Sequence, residues 1–168
     1  MESFENYAAD LLVVMRQGME RFGDEAAPDK VPWFLFGHSM GGLISLTYLL
    51  DHEKAVPLRG VMISAPLLAV AMKVSGVKRA AAKVLNVVAP KLAIDAGIPA
   101  EYICRDEQEV QRYANDSRRQ TGVTPRWADA MDRAIARVQG GAKTIESDLL
   151  VYLGSGDLIC DTQETLRV

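Results

Sequence analysis

The run WFLFGHSMGGLISLTYLL at positions 33–50 constrains the fold more than any other part of the chain. Its first half, following Val31-Pro32, is an unbroken apolar stretch of strand composition. Because it does not alternate, the expected strand is one buried on both faces, as in a parallel sheet covered by helices. Its second half, 40–50, is apolar and suits a helix that ends at Asp51-His52-Glu53. Between the two lies Gly37-His38-Ser39-Met40-Gly41, a G-x-S-x-G motif. A strand-to-helix turn of this kind is sharp enough that glycines are expected two residues either side of the serine. It lifts the hydroxyl clear of the backbone at a helix N-terminus, where free N–H groups and the dipole favour a developing negative charge. Ser39 is therefore the candidate nucleophile, with Gly37, His38 and Gly41 forming its elbow and the Met40 N–H a candidate oxyanion donor. Gly42 is expected to let the helix pack closely on the strand. The bare pattern would arise by chance in about 5% of chains this long; the strand before it and the helix after it make it far more specific.

The flanks predict the same alternation of elements. Phe4, Tyr7, Ala8, Leu11, Leu12, Met15 and Met19 recur at helical spacing over 3–21, with Glu2 and Glu5 near the favourable end of the dipole. A polar loop over 23–30 contains Pro28. Two further buried-strand candidates are LRGVMIS at 58–64 and ESDLLVYL at 146–153, the latter followed by the turn Gly154-Ser155-Gly156. Between them, 66–143 has helical character interrupted at Gly76, Pro90, Gly97, Pro99 and Pro125. Strand, helix, strand, long helical insertion, strand describes a doubly wound α/β core carrying an inserted lid. The core is assigned to 1–66 and 144–168 and the lid to 67–143. The helix around 127–138 places Trp127, Met131, Ile135 and Val138 on one face, a pattern that points to packing on the core.

The runs FLFGHSMGGLISLTYL, ISAPLL and LLVYLGSGDLICD together resemble the monoacylglycerol lipases and lysophospholipases, serine hydrolases of the α/β-hydrolase superfamily with a helical lid. The likeness covers nearly the whole chain. It implies a partial α/β-hydrolase fold, a lipid ester substrate and no cofactor. It places the nucleophile at Ser39 and the acid of a Ser-Asp-His triad at Asp157, within G-S-x-D, in preference to Asp161. An acid at the C-terminal edge of a parallel strand also faces the crevice where ligands bind in such sheets. Arg105-Asp106 followed by EQEVQRY resembles the lid exit. The same elbow also serves esterases, thioesterases and peptidases, and a catalytically dead remnant or binding module would keep it too.

The base is the missing part. The triad order in this fold is Ser, Asp, His, and no histidine follows Asp157. His38 adjoins Ser39 and is expected to pack under the turn. His52, at the far end of the next helix, is roughly 18–20 Å away at about 1.5 Å per residue, whereas a general base works at about 3 Å. The family's H-G oxyanion loop has no counterpart before the first helix either. The simplest expectation is an excerpt of a longer reading frame, inactive alone, with its nucleophile strand at a sheet edge.

Charge bounds the partners. The net charge of −3 gives no case for nucleic acid. It is unevenly spread: positions 54–94 hold seven basic residues and no acidic one, and the remainder holds 12 basic and 22 acidic. The apolar stretch 67–94 is punctuated by Lys73, Lys78, Arg79, Lys83 and Lys91. Such a helix suits either a membrane interface or a lid whose apolar side covers the cleft. Cys104 and Cys160 lack metal-ligand spacing and read as reduced thiols. With no signal peptide and no long apolar span, the expected location is cytoplasmic, with peripheral membrane contact through the basic lid.

Overall fold

The computed structural model describes residues 3–22, 32–72, 75–95 and 97–168. The loop expected over 23–30 and Lys73 lie outside the described residues, as do the side chains of Lys78 and Arg79. The elements in chain order are α1 (Glu5–Phe22), β1 (Phe34–His38), α2 (Met40–His52), β2 (Gly60–Ser64), α3 (Gly76–Val88), β3 (Ile94–Asp95), α4 (Glu107–Ala114), β4 (Gly122–Val123), α5 (Pro125–Gly141), β5 (Leu149–Tyr152) and α6 (Thr162–Thr165). Strands β1, β2 and β5 form a parallel sheet in that order, with Phe34 opposite Gly60 and Val61 opposite Leu149. β3 and β4 form a separate two-stranded antiparallel pair.

The core lies on one face of the parallel sheet. Helix α2 crosses behind β1 and β2, buried from Leu43 to Leu49 except at Ile44. Its two buried hydroxyls are satisfied within the helix, Ser45 Oγ donating to the Gly41 carbonyl at 2.8 Å and Thr47 Oγ1 to that of Leu43 at 2.9 Å. Helices α1 and α5 pack on α2, with Phe4 just before α1 and Ala8 within it joining Ala130, Ala134, Ile135 and Val138 of α5 in the core. The face expected from Trp127, Met131, Ile135 and Val138 does pack on the core. The flanking helices are also tied by polar contacts: Trp127 Nε1 donates to Tyr7 Oη at 3.3 Å, and Arg137 pairs with both Asp51 and Glu5. The Thr124 hydroxyl caps the N-terminus of α5 by accepting from Trp127 N, with Pro125 next to it in the first turn.

The expectation that these strands are buried on both faces fails for two of the three. Phe34 and Phe36 of β1 are 52% and 59% exposed, and all four residues of β5 are exposed. Among the described residues, helices cover only the face bearing Leu35, Gly37, Val61 and Ile63. β1 has one uncovered face and β5 is exposed on both, and as the outer strands each has an edge without a strand partner among the described residues.

Candidate active site

β1 ends at His38 and α2 begins at Met40, which leaves Ser39 to turn the chain through φ 53° and ψ −116°. A positive φ at a residue with a Cβ costs of order 1–3 kcal/mol, so the surroundings must hold it. They do so through both backbone groups. The Ser39 N–H donates to the Ser64 carbonyl at 2.9 Å, across to β2. The Ser39 carbonyl accepts from Gly42, Leu43 and Leu67. The next strand repeats the device: Ala65, directly after β2, has φ 42°, and its N–H donates to the Tyr152 carbonyl at 2.8 Å. Two tight turns thus sit side by side at the C-terminal ends of parallel strands, where ligands bind in such sheets.

Sterics explain two of the three elbow glycines. A Cβ on Gly37 would stand 2.5 Å from Ser45 Oγ and 2.6 Å from the Gly41 carbonyl oxygen; one on Gly42 would stand 3.0 Å from Pro66 and 3.1 Å from Ile63. Gly42 therefore does let α2 lie against β2 and the chain that leaves it. Gly41 departs from expectation, since a Cβ there meets nothing within 4 Å. The turn does not crowd position 41 among the described residues. His38 also departs. It is exposed, not packed under the turn, because alternation along β1 aims it at the uncovered face, where its Nδ1 lies 3.2 Å from Ser64 Oγ. His52 closes α2 with its ring centroid 5.7 Å from that of Tyr48.

Met40 is the first residue of α2, so its N–H has no carbonyl of a preceding turn to bond. The Ser39 hydroxyl lies 3.9 Å from Cys160 Sγ, and neither histidine is bonded to it. Cys160 is the contact that sequence reasoning missed. It is buried, and its own N–H donates to Asp157 Oδ1 at 2.8 Å; Ile159 N–H donates to the same oxygen at 2.8 Å. One thiol-bearing residue therefore spans the candidate nucleophile and the candidate acid. Its position three residues after an aspartate in a tight turn was the available signal. Burial pushes the Cys160 thiol above its ordinary pKa, with the Ser39 hydroxyl opposing and the Asp157 charge adding to the rise. The thiol thus stays protonated at neutral pH. Cys104 is exposed, and both cysteines are free.

Asp157 and Asp161 are engaged differently. Asp157 Oδ1 is held by two backbone amides, while Oδ2 has no hydrogen-bond partner among the described residues. Asp161 caps α6, its Oδ1 accepting from Gln163 and Glu164 N–H. The turn bearing both is stitched to the chain that follows β2: Ala71 N–H donates to the Ile159 carbonyl at 2.9 Å, and Asp161 N–H to that of Ala69 at 3.0 Å.

A parallel sheet with a strained serine between strand and helix, and an aspartate turn beyond another strand of the same sheet, defines an α/β-hydrolase. Comparison with known proteins then gives the family. The model of the serine aminopeptidase S33 family matches residues 1–168, and the chain belongs to that family of hydrolases. It is 30% identical over 134 residues to phospholipase YtpA of Bacillus subtilis, covering 80% of this chain and 51% of that protein. It is 34% identical over 138 residues to mouse monoglyceride lipase, covering 81% and 44%. Among solved structures, the monoacylglycerol lipase of Paleococcus ferrophilus superposes with a TM-score of 0.77 at 25% identity, over 95% of this chain and 59% of that one. A soluble variant of the Saccharomyces cerevisiae monoglyceride lipase has a TM-score of 0.79 at 19% identity, covering 95% and 54%, and shares the fold. The chain spans about half the length of the curated relatives it matches. The family is thus one of lipase- and phospholipase-type serine hydrolases.

Proposed function

We propose that this chain carries the nucleophile and acid of a carboxylester hydrolase acting on mono-acylated glycerol or lysophospholipid. The observation that carries the reading is the contact chain from Ser39 Oγ to Cys160 Sγ and from the Cys160 N–H to Asp157 Oδ1. Ser39 Oγ attacks the ester carbonyl and loses its proton to a histidine from outside residues 1–168. The Met40 N–H stabilises the oxyanion. The glycerol alcohol leaves with that proton, and water then cleaves the acyl-serine ester to release the fatty acid. Asp157 orients the histidine through Oδ2, the oxygen its own loop leaves unbonded; the helix-capping duty of Asp161 favours Asp157 for this role. Without the base, residues 1–168 turn over no substrate. The uncovered sheet face and the half-length match to the relatives support a longer functional fold.

Residues 67–143 serve as the lid. On α3, Val84, Val87 and Val88 point outward with 61%, 82% and 70% exposure, and Leu92 beyond it is 52% exposed. Lys83 and Lys91 are exposed beside them. An outward apolar stripe with lysines supports peripheral contact with a lipid surface over a lid helix turned inward. No helix among the described residues is long and apolar enough to cross a membrane.

The family model's name points to peptides and the relatives' names to lipids, so the test sets one substrate against the other. The full-length protein encoded by the gene is expected to hydrolyse 1-oleoylglycerol or 1-oleoyl-lysophosphatidylcholine, and Ser39→Ala to abolish it. Cleavage of amino-acyl anilides with neither lipid ester touched would replace this reading with the peptidase one.

A further inference from the structure

The ester reading leaves the headgroup open, and one cation near the site bears on it. Arg105 lies in the segment leading into α4, far in sequence from the Gly154-to-Asp157 turn but beside it in space. A Cβ on Gly156 would stand 3.3 Å from Arg105 Nη2. The guanidinium therefore lies against the residue that precedes Asp157, on the loop that reaches Ser39 through Cys160. Glycine at 156 leaves room for it.

Arg105 also lacks a counter-ion. Arg112, Arg118 and Arg137 pair with Glu109, Asp116 and Asp51, whereas Arg105 has no ion pair or hydrogen bond among the described residues. Neither the carboxylate that follows it in the chain nor the one that follows Gly156 pairs with it among the described residues. Asp106 caps α4 by accepting from Gln108 and Glu109 N–H, and Asp157, held at Oδ1 by Ile159 and Cys160 with Oδ2 unbonded, makes no ion pair with Arg105. An exposed, planar, permanently charged donor without a partner is suited to a phosphate oxygen pair. A neutral glycerol headgroup would gain little from it.

We infer that Arg105 is a specificity-determining residue that binds the phosphate of a glycerophosphate headgroup at the rim of the Ser39 site. The inference rests on the ester reading for its purpose but not for its test. In the ¹⁵N-labelled chain, sn-glycerol 3-phosphate is expected to shift the Gly156 and Asp157 amide signals saturably, and glycerol at equal concentration to leave them in place. Arg105→Gln should weaken the glycerol phosphate midpoint at least fivefold, Arg105→Lys should weaken it less, and Arg112→Gln on α4 should leave it unchanged. Equal midpoints in wild type and Arg105→Gln overturn the inference, as do equal shifts with glycerol. Inorganic phosphate binding as tightly as glycerol phosphate overturns the headgroup assignment. Glycerol phosphate binding in a full-length protein that hydrolyses no ester would support the anion site while removing the ester reading, so the two fail separately.

Discussion

Adjacent glycines in the first turn of α2 provide a paired test of how the elbow is packed. Neither has a positive φ, so alanine fits the backbone at both positions. At 42, the new methyl would sit 3.0 Å from Pro66 Cα and Cβ and 3.1 Å from Ile63 Cγ2. Backbone at Pro66 cannot swing aside as a long side chain would, so overpacking of about 1–3 kcal/mol is expected. Replacing glycine in a helix returns up to about 1 kcal/mol, and Gly42→Ala should destabilise by about 0–2 kcal/mol net. At 41 the methyl meets nothing, only the propensity gain remains, and Gly41→Ala should be neutral or stabilising by up to about 1 kcal/mol. Because propensity is shared, the difference between the variants isolates the close approach. Urea unfolding of the chain followed by far-UV circular dichroism reads it, as a midpoint separation of order 1 M at the usual slope of about 1–3 kcal/mol per molar. Coincident midpoints, or a Gly41→Ala variant less stable than Gly42→Ala, would refute the packing argument.

Two other consequences concern the scaffold. Tyr48 is fully buried, and its hydroxyl has no hydrogen-bond partner among the described residues; Tyr48→Phe should therefore be neutral or raise stability by about 1 kcal/mol, and a loss above about 1 kcal/mol in the same urea assay would reveal a partner. The Arg137 hydrogen bond holds the Asp51 carboxyl below its ordinary pKa, with burial opposing and the charges of Arg137 and His52 assisting. A depressed folded-state pKa gives stability that is fully present above the unfolded value near 4 and is lost as pH falls through the folded value. Asp51→Asn should accordingly flatten the fall in thermal midpoint below about pH 4, and an unchanged acid slope would show that the pair adds nothing.

The strand, elbow and helix around Ser39 were legible because one short segment states all three, and the two later apolar runs marked the other two parallel strands, though not their pairing order. What the sequence hid was direction. Composition marked 33–37 as a strand but could not say which side a helix would cover, so the burial of Phe34 and Phe36 and the inward packing of His38 were expected and not found. The same ambiguity applied to the valines of α3, whose outward aim depends on how α3 meets α5. Contacts between distant segments were the other gap. Cys160 against Ser39 and Arg105 against Gly156 span 121 and 51 positions of chain, beyond the reach of any periodicity. β3 and β4, two residues each, are too short to leave a pattern. Gly41 shows the opposite error: the motif led to an expectation of crowding that the described residues do not show.

On the proposed reading, Ser39 is a nucleophile poised by its turn and completed by a base outside residues 1–168. Treating the full-length protein and the 1–168 chain in parallel with a fluorophosphonate, then locating the adduct by peptide mass spectrometry, tests it most directly. One adduct is expected, on Ser39 of the full-length protein, lost in Ser39→Ala and at background in the 1–168 chain. A folded full-length protein left unlabelled, or labelled at another serine, would contradict it.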